Sequence, residues 1–389
     1  MIKLLPQKSI VSYAFAFVSI WATIANFSIY SSEKSGVIVY LLFIALSIFG
    51  QIKDRFINIR YRKYAIILFL SFLFVYIISY GFNGRPMSNA DFLMLYFLLL
   101  FVLTKDNYKR ESFDIFIKVL TLLLFSGLIE YFSFVLFQKY INFGIVDRDN
   151  TSQSFIHGAF CLFRIGLNGF RFQGLAEEPG LLGTLCGFLI YFVPINKKYL
   201  ISSVVIWISG FLTFSFAFYV LAIIKLCRKL TNIKFLIIVL VSSFVFYSIF
   251  QEYFDDFVVE RFDKFEYGDN RSSESLDVAF VKMFEDGSAL LGKGKDAHQL
   301  LNMEKGVAGA KVWIYQYGVL GFVLIFTAYG FFYIGMLKKM NYISITPWLF
   351  FIAFWISFYQ RQYIEYPYNV LVYFTSPLLL KVKEDNNIC

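Results

Sequence analysis

Twelve stretches of the chain stay mostly apolar for thirteen to twenty-six residues at a time, and no other feature restricts its fold as severely. They run over 9–30, 36–51, 63–80, 88–104, 112–137, 178–195, 199–211, 213–227, 235–250, 317–337, 346–360 and 366–380. A helix crossing the hydrocarbon core of a bilayer needs about 20 apolar residues. Within lipid every backbone N–H and C=O must be satisfied inside its own segment, which leaves the helix as the natural form of each stretch. The expected fold is therefore all-α, a polytopic integral membrane protein with about twelve transmembrane helices, forming a single transmembrane domain over 1–389. Composition agrees: of 389 residues 58% are hydrophobic and 16% charged, against about 45–50% and 25% in soluble domains. An ordinary soluble enzyme, a disordered tail and a disulfide scaffold are excluded. Cys161, Cys186, Cys227 and Cys389 form no C-x-x-C pair, so neither a disulfide framework nor a zinc site is expected. The first apolar run is too long for a signal peptide and reads as an uncleaved first helix.

The net charge of +9 does not indicate nucleic acid, because the basic residues sit in short clusters between apolar runs. Such clusters mark cytoplasmic loops. With the N-terminus inside, the inner connections carry twenty Lys and Arg, and the short outer ones carry three: Lys34, Arg85 and Arg361. Both termini are then cytoplasmic. Two long loops, 138–177 and 251–316, lie outside. The second holds eight basic and thirteen acidic residues and reads as a polar subdomain. Within it, 272–286 has Leu276, Phe280 and Met283 on one helical face, with Gly287 as the stop. The seventh and eighth segments meet at 210–213, as a tight pair or as one broken helix.

Charges inside the hydrocarbon are costly and tend to mark function. Here they gather toward the outer side: Asp91, Glu130, Glu177, Glu178, Arg361 and Glu365. Lys118 and Lys225 lie on the inner side and can snorkel to the cytoplasm. The midplane, where ion-coupled transporters place polar groups, is almost free of charge. The pattern points to a cavity opening at the outer face; an ordinary interfacial belt of charges is the plain alternative.

One segment narrows the reading: Arg171-Phe-Gln-Gly174-Leu-Ala-Glu177-Glu178-Pro179-Gly180. Pro179 suits the first turn of a helix, and an acid there favours the helix dipole. Arg171 needs an anionic partner, a carboxylate or a phosphate. Arg-x-x-Gly followed by Glu-Pro, opening a membrane helix after an outer loop, resembles the Wzy-type O-antigen and exopolysaccharide polymerases and the related O-antigen ligases. Leu212-Thr-Phe-Ser215 is similar to that family's Ser-containing turn, although Phe216 stands where the family often has Arg. Leu291-Gly292-Lys-Gly294 and Tyr317-Gly318-Val-Leu-Gly321 are similar to its Gly-x-Gly element and the helix start after it. The ligases and many polymerases have a His about ten residues before that start; here His298 lies twenty residues before Gly318. The resemblance covers about residues 80–380.

The resemblance implies a GT-C-like glycosyltransferase in the bacterial cytoplasmic membrane. It would join polyprenyl-pyrophosphate-linked oligosaccharides on the outer face, with no metal and no other cofactor. Its partners would be lipid-linked oligosaccharide as donor and acceptor, membrane lipid and a possible chain-length regulator. A ligase, or a polysaccharide flippase or other transporter, is the alternative. The pyrophosphate leaving group gains negative charge as its bond breaks, and guanidinium forks suit its oxygens. Arg171 is the leading catalytic candidate, and Arg261, Arg271 and Arg361 are substrate-binding candidates; pairing with loop acids such as Asp255, Asp256 and Asp269 is the competing account. Glu177 and Asp91 join them as substrate-binding candidates. His298 and Glu178 compete as the base that receives the acceptor proton, although a carboxylate beside an Arg is a weak base. The pair Asp255-Asp256 has no third ligand placed by spacing, so no metal site is expected.

Overall fold

The structure, a computed structural model, describes residues 9–25, 28, 33–83, 88–139, 141–147, 154–165, 171–194, 198–226, 273–301, 309–341, 345–360 and 364–385. The expected helix over 235–250 lies outside the described residues. What is described is mostly helical. In chain order come α1 (Ile10–Trp21), α2 (Glu33–Asp54), α3 (Arg62–Asn83), α4 (Asn89–Leu103) and α5 (Asp106–Phe137). A small sheet follows, β1 (Ile145–Asp147), β2 (Ser154–His157) and β3 (Leu162–Arg164), and then α6 (Pro179–Leu189), α7 (Leu200–Leu212) and α8 (Phe216–Leu226). The remaining helices are α9 (Glu274–Glu285), α10 (Ala310–Lys339), α11 (Thr346–Gln360) and α12 (Pro367–Asp385). Among the described residues four spans are long and apolar enough to cross a membrane: 36–54, 59–81, 106–137 and 310–339.

The bundle is apolar outside as well as inside. Ile52, Ile38 and Leu122 are 76%, 64% and 64% exposed, a surface that water would not tolerate at this extent and lipid would. With apolar surroundings, close packing has to hold the helices together. Aromatic rings supply much of it. Phe15 of α1 sits among Phe43, Phe97 and Phe101 at centroid distances of 5.3, 5.3 and 4.9 Å, in the edge-on arrangement that ring quadrupoles favour. In α12, Val370 to Phe374 are fully buried, so this helix runs through the middle of the bundle.

Local contacts fix which ends lie together. Tyr61, just before α3, donates to Asp106 Oδ1 of α5 at 2.6 Å, and Lys339 of α10 donates to the Tyr61 hydroxyl at 2.8 Å. The far ends of α3 and α5 and the start of α10 therefore share the other end of the bundle. That end also carries the sheet, an antiparallel meander with Ile145 opposite Ile156 and Phe155 opposite Arg164. Its presence departs from the all-α expectation. Strands of three or four residues are too short to show an alternating pattern, and their ladder is set by anchoring instead. Leu162 donates to Gly174 O, Phe172 to Leu212 O and Ala25 to Leu175 O, at 2.8–2.9 Å.

Glu130, deep in α5, is buried and its two carboxylate oxygens accept the N–H groups of Ala159 and Phe160, each at 2.8 Å. An acid in an apolar helix thus has a structural task, pinning the loop that carries the sheet. Glu130→Ala removes the acceptor of two part-buried amides, and we expect a loss of about 1–3 kcal/mol. Faster cleavage of 141–165 in limited proteolysis would show it; unchanged cleavage would remove this role.

The seventh and eighth segments form a tight antiparallel pair. Phe214 turns the corner with φ of 47°, Tyr219 donates to Phe211 O at 3.0 Å, and Phe218 packs on Trp207 and Phe211. In α6, a Cβ on Gly183 would meet Ser215 Cβ at 2.4 Å, and one on Gly187 would meet Leu221 Cδ1 at 2.5 Å. These glycines let α6 and α8 approach closely, a common device in membrane bundles.

The last long helix starts at Ala310, seven residues earlier than its apolar run suggests, and breaks at Gly318 (φ 73°, ψ 170°). Amides freed by the break are taken up by the preceding segment. Val319 donates to Ala289 O and Leu320 to Leu290 O, while Lys293 and Gly294 donate to Tyr315 O and Gln316 O, at 2.8–3.2 Å. Outside this clasp lies α9, capped by Ser273 through Leu276 N. It buries Leu276 and Met283 against Val312 and Tyr315, the face expected from its sequence.

Candidate functional site

Most of the described site candidates fall at the sheet-bearing end, in two groups. The first surrounds the start of α6. Gly174 (φ 54°) and the bond from Gln173 Nε2 to Ala176 O, 3.2 Å, fold residues 171–178 into a compact turn. Arg171, half-buried, spans that turn and the α7–α8 corner. Its Nε donates to Thr213 O at 2.9 Å and its Nη2 to Phe214 O at 3.2 Å. Both acceptors are neutral carbonyls, so these bonds set the plane of the guanidinium without cancelling its charge. Glu178 occupies the N-cap position in extended conformation, with Pro179 at the first helical position, and its side chain makes no capping bond. Glu177 is half-buried beside it. The Ser215 hydroxyl reaches Gly180 O at 3.5 Å, which places the corner against the α6 N-terminus.

Beside α6 lies a small cleft with a cavity volume of about 20 Å³, room for about one water. Leu181, Thr184 and Leu185 form one wall, Phe354 and Ser357 of α11 a second, and Ile364 and Tyr368 at the start of α12 a third. The walls are mainly apolar, with the hydroxyl-bearing Thr184, Ser357 and Tyr368 and the amide of Asn369 among them. Such a lining has little to offer a charged ligand.

The second group contains Asp91 and His298. Asp91 closes a reciprocal cap on α4: Ser88 N donates to Asp91 Oδ2 at 2.7 Å and Asp91 N to Ser88 Oγ at 3.3 Å. It also pairs with Lys295. Lys295 further donates its backbone N–H to Ser79 Oγ at 2.7 Å and its Nζ to Ser88 Oγ at 3.2 Å, so segment 288–301 is latched across the ends of α3 and α4. Asp91, expected to bind substrate, is occupied by the cap and the latch. His298 sits in a 3-10 turn (Ala297–Leu300), half-buried, with Gln316 Nε2 2.6 Å from its Nδ1. As this amide is placed, it donates to Nδ1 and leaves the neutral ring's proton on Nε2. His298 then presents an N–H where a base would need a lone pair.

Arg261, Arg271 and Arg361 lie outside the described residues, so of the four arginines only Arg171 is located. Three residues matter here that the sequence reading did not single out as site residues: Lys295, Gln316 and Glu365. Lys295 and Gln316 lie in or beside the Gly-x-Gly and Tyr-Gly elements. Glu365 is an acid between two apolar helices, which was its visible signal. Its carboxyl is pushed up to about 7 by burial, and Asp91 adds to the shift while its own backbone N–H and Lys295 oppose it. His157 is fully buried at the end of β2, with Nδ1 2.6 Å from Gly158 O, and burial lowers its pKa. Among the described residues no three His, Cys, Asp or Glu side chains gather as a metal ion would require.

No protein-family model and no curated protein matches the sequence.

Proposed function

We propose that this chain is a glycan polymerase of the bacterial cytoplasmic membrane, a metal-independent glycosyltransferase with a GT-C-like arrangement of about twelve helices and both termini in the cytoplasm. On the outer face it joins undecaprenyl-pyrophosphate-linked repeat units, with lipid-linked oligosaccharide as both donor and acceptor. The observation that carries this reading is Arg171, held in a fixed plane at the α7–α8 corner against the start of α6. A lipid pyrophosphate offers the doubly charged head that such a guanidinium would bind.

The chemistry follows from the donor. As the anomeric C–O bond breaks, charge grows on the leaving pyrophosphate. A guanidinium fork is suited to stabilise it. The resemblance of 171–180 to the polymerases and the gathering of Asp91, Glu178 and His298 at one end of the bundle support this reading.

Cells lacking the chain should accumulate single lipid-linked repeat units and lose long glycan. Long lipid-linked chains that fail to reach their final carrier would instead mark a ligase. Unchanged glycan of every size would refute both.

A further inference from the structure

Helix α9 has more apolar side chains than its packing uses. Leu276 and Met283 are buried against Val312 and Tyr315 of α10. Val278, Val281 and Phe284 stand on its open side, 49%, 58% and 54% exposed. A helix turns about 100° per residue, so these three, spaced by three, form a stripe well round the helix from the face on α10. Lys282 is exposed and projects about 100° beyond Val281, which gives that turn a polar side as well as an apolar one. Asp277, next to the stripe, is engaged by Lys311 Nζ at 2.6 Å.

Backbone hydrogen bonds tie this stripe to a surface that faces lipid. Ala289 donates to Met283 O at 2.8 Å, folding the chain back under the end of α9. Ala289 O and Leu290 O then accept the amides of Val319 and Leu320 at 2.9 and 3.2 Å. Leu290, 57% exposed, therefore stands beside the first residue after the break in α10. From there Val319, Val323 and Phe326 are exposed at helical spacing, within the span 310–339 that is apolar enough to cross a membrane. The exposed apolar surface thus runs from the crossing helix through Leu290 to the C-terminal end of α9. Exposed apolar surface of this kind marks a partner, and its continuity with the membrane-crossing face of α10 identifies that partner as lipid.

We propose that α9 lies in the surface of the bilayer at the sheet-bearing end, with Val281, Phe284 and Leu290 sunk about 5–10 Å into the boundary between headgroups and acyl chains. The assignment needs only the membrane-crossing α10 and is independent of the polymerase reading. Its attraction is apolar rather than ionic. The helix carries Glu274, Asp277 and Glu285 against Lys282, so it has no net positive charge to draw anionic headgroups. The consequence is mechanical. The clasp at Gly318 and the Lys295 latch sit at the level of the bilayer surface, and segment 288–301 lifts only by drawing Leu290 out of lipid.

The test uses the full-length protein in nanodiscs of phosphatidylethanolamine and phosphatidylglycerol. Val281→Cys, Phe284→Cys, Leu290→Cys and, for comparison, Lys282→Cys are each placed in a chain carrying Cys227→Ser and Cys389→Ser and labelled with a polarity-sensitive nitrobenzoxadiazole dye. Cys161 and Cys186 are buried and stay unlabelled. Labels at 281, 284 and 290 should emit at shorter wavelength and lose fluorescence to lipids carrying a doxyl group high on the acyl chain. The label at 282 should emit as in water and be quenched by iodide. Raising the phosphatidylglycerol fraction should change none of this. Water-like emission at all four positions would overturn the proposal. Short-wavelength emission without quenching by doxyl lipid would overturn it too, since protein, from this chain or a second copy, would then cover the stripe. Lipid quenching that grows with phosphatidylglycerol would overturn its apolar basis. A benzophenone amino acid at position 284 checks the result without the dye: captured phospholipid supports the proposal, and captured protein alone overturns it.

Discussion

Arg171→Ala should abolish long glycan chains and leave single lipid-linked units to accumulate. Loss of one preorganised donor to a developing oxyanion costs on the order of 10²–10³ in rate, and a full guanidinium facing a pyrophosphate should lie at the upper end. Arg171 also binds the Thr213 and Phe214 carbonyls, so the substitution has a second effect: it loosens the α7–α8 corner. Arg171→Lys separates the two. Lysine keeps the charge but cannot span two carbonyls and an anion with one planar fork. If leaving-group stabilisation dominates, both variants reach the membrane at normal level and both lose polymerisation, with the lysine variant keeping part of it. If Arg171 only braces the corner, polymerisation should track thermal stability in detergent across the two variants. Normal chain length in Arg171→Ala would count against the proposed function altogether. The measurement is a glycan size ladder from cells carrying each variant, with protein level in the same membranes.

Much of the bundle was legible in the sequence, because apolar runs report directly on burial in lipid. The described helices start and end close to the expected segments at α3, α4, α11 and α12, where a polar or turn-forming residue cuts the run. The face of α9 was legible for a related reason, since Leu276, Phe280 and Met283 recur at helical spacing. Where structure depends on partners distant in sequence, the reading stopped short. The sheet is anchored by Glu130 and by the carbonyls of Gly174 and Leu212, none of which local pattern reveals. The start of α10 was placed too late because 310–317 is amphipathic and packs on α9 rather than lying in an apolar run. At the site, Arg171 and Glu178 could be named because they sit in one short motif. Lys295 and Glu365 could not be joined to Asp91, because the ion pair and the facing carboxylate span about 200 and 270 positions of chain.

Gly318→Ala should be among the most damaging single-methyl changes in the protein. Gly318 has φ 73° and ψ 170°, a region nearly closed to residues with a Cβ, at a cost of about 1–3 kcal/mol. Space forbids the methyl as well: an added Cβ would stand 2.2 Å from Leu290 O and 2.7 Å from Gly292 N. These are backbone atoms of the clasp, so no side chain can rotate away, and overpacking adds about 1–3 kcal/mol. A total of about 2–6 kcal/mol is expected. The structure can escape only by releasing 288–294, which strands the amides of Val319 and Leu320 and unseats the Lys295 latch. The variant should therefore lose thermal stability and expose 288–301 to protease together. Gly330→Ala is the control: it lies in the same helix, and its Cβ would meet only Phe351 Cζ at 3.8 Å. There the change should be neutral or stabilising by up to about 1 kcal/mol, since alanine is the better helix former. Equal behaviour of the two variants in both assays would mean that the clasp holds nothing.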